Sequence, residues 1–278
     1  MRKILLLVFI LSVSILIHAQ INKIDHFNVS SPNAEKLFNF FREELSLPVV
    51  WNNKIKGRYA SAAVWLGNVS LEFVTPRDTN KTRFDGIGLE PRQSAKKILP
   101  LLNSAKISHD SIQSYTFTTT NKNGLSEVIS FSILSLENVL PNETDFFICD
   151  YKHREHFALD RTLAADSLKI INGGPLGIMF LREIVVGCKD LSLYKNELAK
   201  LPGIKEQKVN LFSFNSGPPI RLIRADSPGI KKIIIEVSSI YSAKKYLESK
   251  NLLDDSSRNS VSINPQAIDG LTIVLAEK

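Results

Sequence analysis

A strand followed by a helix occurs four times in this chain, and that repetition limits the fold more than any other feature. The apolar runs KIDHFNV, RFDGIGL, LREIVVG and KKIIIEV each lead into a segment with apolar residues at helical spacing. Those segments are SPNAEKLFNFF (31–41), RQSAKKILPLL (92–102), KDLSLYKNELAKL (189–201) and IYSAKKYLESK (240–250). Two of them share SAKK, at 94–97 and 242–245, and the first and last runs both leave through VSS, at 29–31 and 237–239. Serine or aspartate ahead of a helix accepts hydrogen bonds from the orphan N–H groups of its first turn. Further strand-like pieces follow each helix. The first unit has LPVVWN, YASAAVWLG and NVSLEFV, with Gly67-Asn68 as a hairpin signal between the last two. The second has SIQSYTF, EVISFSILSL and DFFICDY, the third KVNLFSFN and PPIRLIRA, and the fourth SVSIN and GLTIVLAE. The units run over 22–76, 82–152, 180–226 and 229–278. A small sheet covered by one helix keeps its other face free to line a cavity. Between units two and three, KHREHFALDRTLAADSLKIINGGPLG is mixed and polar, with Gly173-Gly174-Pro175 as a breaker. The sequence therefore predicts two halves, 20–153 and 179–278, joined by a connector over 154–178.

The N-terminus has a different character. Arg2 and Lys3 precede an apolar run from Ile4 to Ile17, and Ala19 offers a small residue for cleavage. That run is shorter than the roughly 20 residues of a membrane span, so residues 1–19 read as a secretory signal peptide. The expectation is export to a periplasm or the medium, with no stable membrane anchor after cleavage; an uncleaved anchor is the alternative. Cleavage would remove Arg2 and Lys3 from a formal net charge of +7. The remaining charge is spread along helices as on any solvated face, which supports solubility and gives no case for nucleic acid. Cys149 and Cys188 are the two cysteines. A bridge between them stays open in an oxidising compartment, and the fold must rest on an apolar core.

Three stretches, IDHFNVSSPNAEKLFNFFREELSLP, VWLGNVSLEFV and the C-terminal NPQAIDGLTIVLAE, resemble the vicinal oxygen chelate superfamily. This superfamily includes the glyoxalase-like, bleomycin-resistance and extradiol dioxygenase proteins. The resemblance spans nearly the whole mature chain as architecture, while its specific motifs lie in the first unit and the last strand. It implies an α+β fold of about four tandem βαβββ modules. They would pair into curved mixed sheets that form cup-shaped sites, with helices on the outer faces. Members that use a metal take a histidine from the first strand of a module and a glutamate from its last strand. The matching residues here are His26 and Glu72. An imidazole nitrogen and a carboxylate suit zinc, manganese, iron or nickel, and a carboxylate on a concave wall needs a cation or hydrogen bonds. Glu72 is also the candidate general base. Alignment by the strand-to-helix step puts Gly86, Glu183 and Ile234 opposite His26 in the later units. Opposite Glu72 it puts Ile148 or Cys149 in unit two and Val274 in unit four. Catalytic metals usually hold three protein ligands, so a third would be Glu183 reaching across, Asp150 turned inward, or a residue outside this alignment.

Trp51, Tyr59 and Trp65 are candidates for an apolar pocket or for ordinary core. Tyr151, His153 and Arg154 follow the last strand of unit two, where this fold opens its cup, and are candidate ligand contacts. His153 and His156 would share one helix face, among charges that suit a solvated connector. Asp25 is not expected to orient His26, because adjacent residues on a strand point to opposite faces. No Lys-Ser/Thr pair follows Gly173-Gly174, so that loop is no phosphate cradle. Two functions fit. The first, which the match at His26 and Glu72 puts ahead, is a divalent-metal-dependent lyase, isomerase or dioxygenase acting on a small oxygen-rich substrate. The alternative is a metal-free protein of the same fold that binds or sequesters a small molecule, which the replaced positions in the later units favour.

Overall fold

The computed structural model describes residues 21–55, 58–75, 81–120 and 124–278, with the side chains of 54, 55 and 58–60 outside that description. The signal peptide read over 1–19 lies outside it too. The first half runs β1 (Ile21–Ser30), α1 (Ala34–Glu43), β2 (Val49–Ile55), β3 (Arg58–Trp65) and β4 (Ser70–Val74). The same order then repeats as β5 (Arg83–Pro91), α2 (Ala95–Ser104), β6 (Gln113–Thr120), β7 (Ser126–Ser135) and β8 (Asp145–Tyr151). The connector is largely one helix, α3 (Arg154–Ile170). The second half runs β9 (Ile178–Cys188), α4 (Leu191–Ala199), β10 (Lys205–Lys208), β11 (Leu211–Ser213) and β12 (Ile220–Arg224). It ends with β13 (Gly229–Val237), α5 (Ile240–Ser249), β14 (Leu253–Ser256), β15 (Ser260–Ile263) and β16 (Ile273–Ala276). This is the tandem α+β architecture expected from the repeat.

Local chemistry sets these elements. Helix α1 buries Ala34, Leu37, Phe38 and Phe41, one stripe at helical spacing packed on β3 and β4. Asp190 accepts from the Leu193 N–H at 2.9 Å, and Ser239 from the Ser242 N–H at 3.2 Å, so α4 and α5 carry their own caps. Helix α2 is capped from outside, by Asp150 of β8, which accepts from the Ala95 N–H at 2.8 Å. Asp150 is thus turned outward and is not a third ligand. Gly67, at φ +84°, opens the tight turn between β3 and β4, and Leu66 N–H bonds the Val69 carbonyl across it. Asn68 then joins the halves, exchanging hydrogen bonds of 3.0 Å with both backbone groups of Leu181. Cys149 and Cys188 lie in different halves, buried and unbridged. Among the described residues no helix is long and apolar enough to cross a membrane.

The two halves close differently. The first sheet, in the order β1-β4-β3-β2-β6-β7-β8-β5, is a closed barrel, completed by the pairing of Lys54 with Thr120. The second, β10-β11-β12-β9-β13-β16-β15-β14, stays open. Strands β6 and β7 have 8 and 10 residues, long enough to form a wall. Their counterparts β10, β11, β14 and β15 have 4, 3, 4 and 4.

A β-bulge recurs in both halves. Across β1 and β5 the partners step from Ile24↔Leu89 to His26↔Gly88, which leaves Asp25 as the extra residue. Across β9 and β13 they step from Leu181↔Ile235 to Glu183↔Ile234, which leaves Arg182 in that role. Each bulge is followed by three regular pairs and a second shift on the opposite strand, so the halves superpose residue by residue here. Glu183 corresponds to His26. Lys232, not Ile234, corresponds to Gly86. Glu72 pairs with Asn28, and its place in unit two is taken by Phe147, which pairs with Gly88, not by Ile148 or Cys149. In unit three that place belongs to Arg221, which pairs with Val185, and in unit four to Val274.

Candidate functional site

The closed barrel encloses a cavity of about 200 Å³. Trp51, Phe117, Phe131, Phe147, Tyr151 and Phe157 line it with rings, and His26 and Glu72 face it with charge. His26 is 4% exposed. Its ring stands edge-on to Trp51 at 6.2 Å and tilted to Phe147 at 5.6 Å. Glycine at 88 makes this placement fit: a Cβ there would sit 2.5 Å from His26 Cε1. His26 Nε2 lies 3.6 Å from Glu72 Oε2.

The expectation that Asp25 faces away from His26 is overturned, because the bulge breaks the alternation of the strand. Asp25 Oδ2 lies 2.8 Å from His26 Nδ1 and accepts from the Tyr151 hydroxyl at 2.9 Å. Arg161, from α3, brings Nη2 to 2.6 Å from Asp25 Oδ1, a charge contact without an aligned hydrogen bond. Its Nη1 donates to Glu90 at 3.1 Å, and Lys23 pairs with Glu90 at 3.1 Å. The chain of polar groups therefore runs from the cavity to the protein surface. Burial alone would raise the Asp25 pKa, but the Arg161 charge and the His26 hydrogen bond hold it well below the usual carboxylate range. Burial works against a charged His26; its bond to Asp25 and the Glu72 charge outweigh that and raise its pKa. Burial raises the Glu72 pKa, against the pull of His26 and of hydrogen bonds from Ser61 and Trp51. With Asp25 ionised, Nδ1 donates to it and Nε2 is presented to Glu72 and the cavity.

Of the residues singled out from the sequence, His26, Glu72, Trp51 and Tyr151 meet in this cavity. Trp65 does not line it and is core. Tyr59 lies on β3 with its side chain outside the described residues. Glu183 is held by Arg221 in the second half, through both guanidinium and carboxylate forks, and is not a ligand of the first-half site. Arg154 spends its donors on the carbonyls of Pro91, Arg92 and Gln93 and on Asp150, so it braces the barrel end. His153 stacks on His156 at 5.7 Å, outside the cavity and half-exposed. Phe117, Phe131, Phe147, Phe157 and Arg161 were not anticipated. For the wall strands a signal exists in the alternation of Ile129, Phe131 and Ile133.

The donor set does not fit a three-ligand metal centre. The four corresponding positions of the barrel hold His26, Glu72, Gly86 and Phe147, which supply two ligands. Cys149 lines the same cavity, but burial pushes its thiol pKa well up and away from the thiolate. Among the described residues no group of three or more His, Cys, Asp or Glu is placed to hold a metal.

Solved structures share this fold. The Mn(II)-bound glyoxalase from Novosphingobium aromaticivorans matches with a TM-score of 0.57 at 11% identity, over 93% of this chain and 83% of that one. The 2,3-dioxygenase LapB from Pseudomonas sp. KL28 matches at 0.57 and 9%, over 94% and 93%. A variant of homoprotocatechuate 2,3-dioxygenase from B. fuscum, in complex with HPCA, matches at 0.58 and 11%, over 94% and 72%. The chain thus has the fold of glyoxalases and 2,3-dioxygenases, the fold that its sequence resembles. No family model and no curated protein matches the sequence.

Two outcomes are expected. Arg161→Ala strands the Asp25 charge inside the barrel and lowers the unfolding free energy by about 3–5 kcal/mol, read from urea unfolding. His26 has a folded pKa above its unfolded value of about 6.5, so its contribution is complete below that pH and is lost as pH rises through the folded value. The melting temperature should therefore decline above about pH 6.5 in the wild type, and this decline should flatten in His26→Gln.

Proposed function

We propose that the protein binds a small organic molecule inside the closed barrel of its first half. The apolar or aromatic body of the molecule packs against Phe117, Phe131 and Phe147, and one polar group meets the His26–Glu72 pair. The observation that carries this reading is the cavity itself, which joins a ring-lined wall to a buried imidazole oriented by Asp25. Its size suits a molecule of about one ring, since a cavity of roughly 150 Å³ admits benzene. His26 offers a donor at Nε2 and Glu72 an acceptor, so a hydroxyl or carbonyl group is the matching head. The dioxygenase variant in complex with HPCA is a precedent within the fold for a small molecule bound.

A second reading keeps a divalent metal. Asp25 on Nδ1 leaves Nε2 facing a carboxylate, the arrangement by which outer carboxylates orient metal-binding histidines, and one neighbour of this fold is the Mn(II)-bound glyoxalase. His26 and Glu72 would hold zinc, manganese, iron or nickel only with further donors supplied by substrate or water. In this reading the protein is a lyase, isomerase or dioxygenase.

Two measurements separate the readings. Nitrobenzyl alcohol, a neutral aromatic quencher, should quench tryptophan fluorescence in the wild type and in Trp65→Phe but not in Trp51→Phe. That quenching should be indifferent to chelators, and quenching that survives in Trp51→Phe would reject the cup. Elemental analysis of protein purified without a metal-binding tag should find well under one equivalent of metal. About one equivalent, lost in both His26→Ala and Glu72→Ala, would establish the second reading instead. The signal peptide read over residues 1–19 supports an exported protein, to a periplasm or the medium. N-terminal sequencing of the mature protein should then begin at Gln20, and an N-terminus at Met1 would reject export by cleavage.

A further inference from the structure

A second cavity of about 590 Å³ adjoins the first, and Asn28, Ile133 and Phe147 line both. Its chemistry is the opposite of the ring-lined cup. Asp110, Glu137 and Asp145 contribute carboxylates, and among the described residues no Lys, Arg or His belongs to its lining. That is a concentration of negative charge on a chain whose formal net charge is +7. Two polar atoms here are buried and unpaired: the Asn28 Oδ1, at the junction of the cavities, and the hydroxyl of Thr144, a residue only 4% exposed. A buried oxygen without a partner is costly, which marks a place where a donor from a ligand would be favoured. Tyr115, 45% exposed and stacked on Phe131 at 5.4 Å, adds an aromatic ring to the same wall. Carboxylates beside an aromatic ring recognise organic cations, through charge and through the ring face.

We infer that the ligand of the cup is an elongated organic cation, with a ring or apolar body in the barrel and an ammonium-type group in the acidic chamber beside it. This inference rests on the cup reading and extends it to a substrate class. The carboxylates do not act alike. Asp145 stands near Arg83, whose charge opposes the rise that burial gives its pKa. Glu137 is exposed and accepts a hydrogen bond from Ser108 through one carboxylate oxygen, at 2.6 Å. Asp110 and Glu137 therefore carry the charge recognition, while Asn28 and Thr144 receive hydrogen bonds along the way. Asp110 and Glu137 are exposed and Asp145 is partly so, so the attraction is screened by salt and amounts to selectivity more than to tight binding.

The test uses three probes of one shape, phenylbutylamine, phenylbutanol and phenylbutyrate, titrated calorimetrically into the mature protein at low salt. The amine is expected to bind about ten-fold tighter than the alcohol, and the carboxylate more weakly than either. The double variant Asp110→Asn/Glu137→Gln should remove the advantage of the amine and leave the affinity for the alcohol unchanged, which also shows that it folds. Phe131→Ala should weaken all three. Equal binding of amine and alcohol by the wild type, or an amine preference that survives in the double variant, would overturn the inference and leave the cup reading standing. If none of the three binds, the cup reading falls, and this inference with it.

Discussion

The pairing of Asp25 with Arg161 is the constraint around which the first half is arranged. An extra residue in β1 turns both Asp25 and His26 into the barrel, and a carboxylate buried there requires a cation. Arg161 supplies it from α3, which ties a segment with a polar sequence to the end of the barrel. The same docking brings Phe157 onto the Tyr151 ring at 4.0 Å and so places the last ring of the cavity. Bulge, ion pair, connector helix and cavity floor thus depend on one another. A strand without the extra residue would turn one of Asp25 and His26 out of the barrel, and α3 would lose its anchor or the cavity its imidazole.

The architecture was legible because it rests on repetition. Apolar periodicity marks each helix, and the strand-to-helix order recurs four times, so the tandem α+β order needs no tertiary information. His26 and Glu72 were legible as a pair by resemblance. Their surroundings were not. Alternation along a strand says that neighbours point apart, and a bulge cancels that rule without leaving a mark in IDHFN. Arg161 sits in a stretch whose composition resembles a solvated linker, and only the buried acid across from it distinguishes it from its neighbours. Glu183 was aligned to the correct place in the repeat, yet the residue that neutralises it, Arg221, comes from another strand. Alignment of positions carries over between modules; the chemistry of partners does not.

The two halves make this plain because they share a bulge and differ in what fills it. Asp25, His26 and Glu72 of the first correspond to Arg182, Glu183 and Arg221 of the second. In the second half these groups are satisfied from within the sheet: Arg182 pairs with Glu236 of β13 at 2.8 Å and Arg221 grips Glu183. Lys232 stands where Gly86 does in the first, adding a side chain where the barrel has none. Polar groups that find partners within the sheet offer less to a ligand. In the first half Asp25 is satisfied from behind, which frees the imidazole it orients to face the cavity.

The open sheet of the second half ends in β10 and β14, whose sequences are KEQK and LDDS. Exposed strand edges are templates on which other chains can assemble, and long flat apolar ones invite aggregation. Here each edge is four residues long, interrupted by a register shift, and charged. An incoming strand would find few consecutive backbone groups to pair with and would bring its own side chains against lysines or aspartates. The shortness that leaves the second sheet open therefore also keeps its unpaired margins from recruiting another chain.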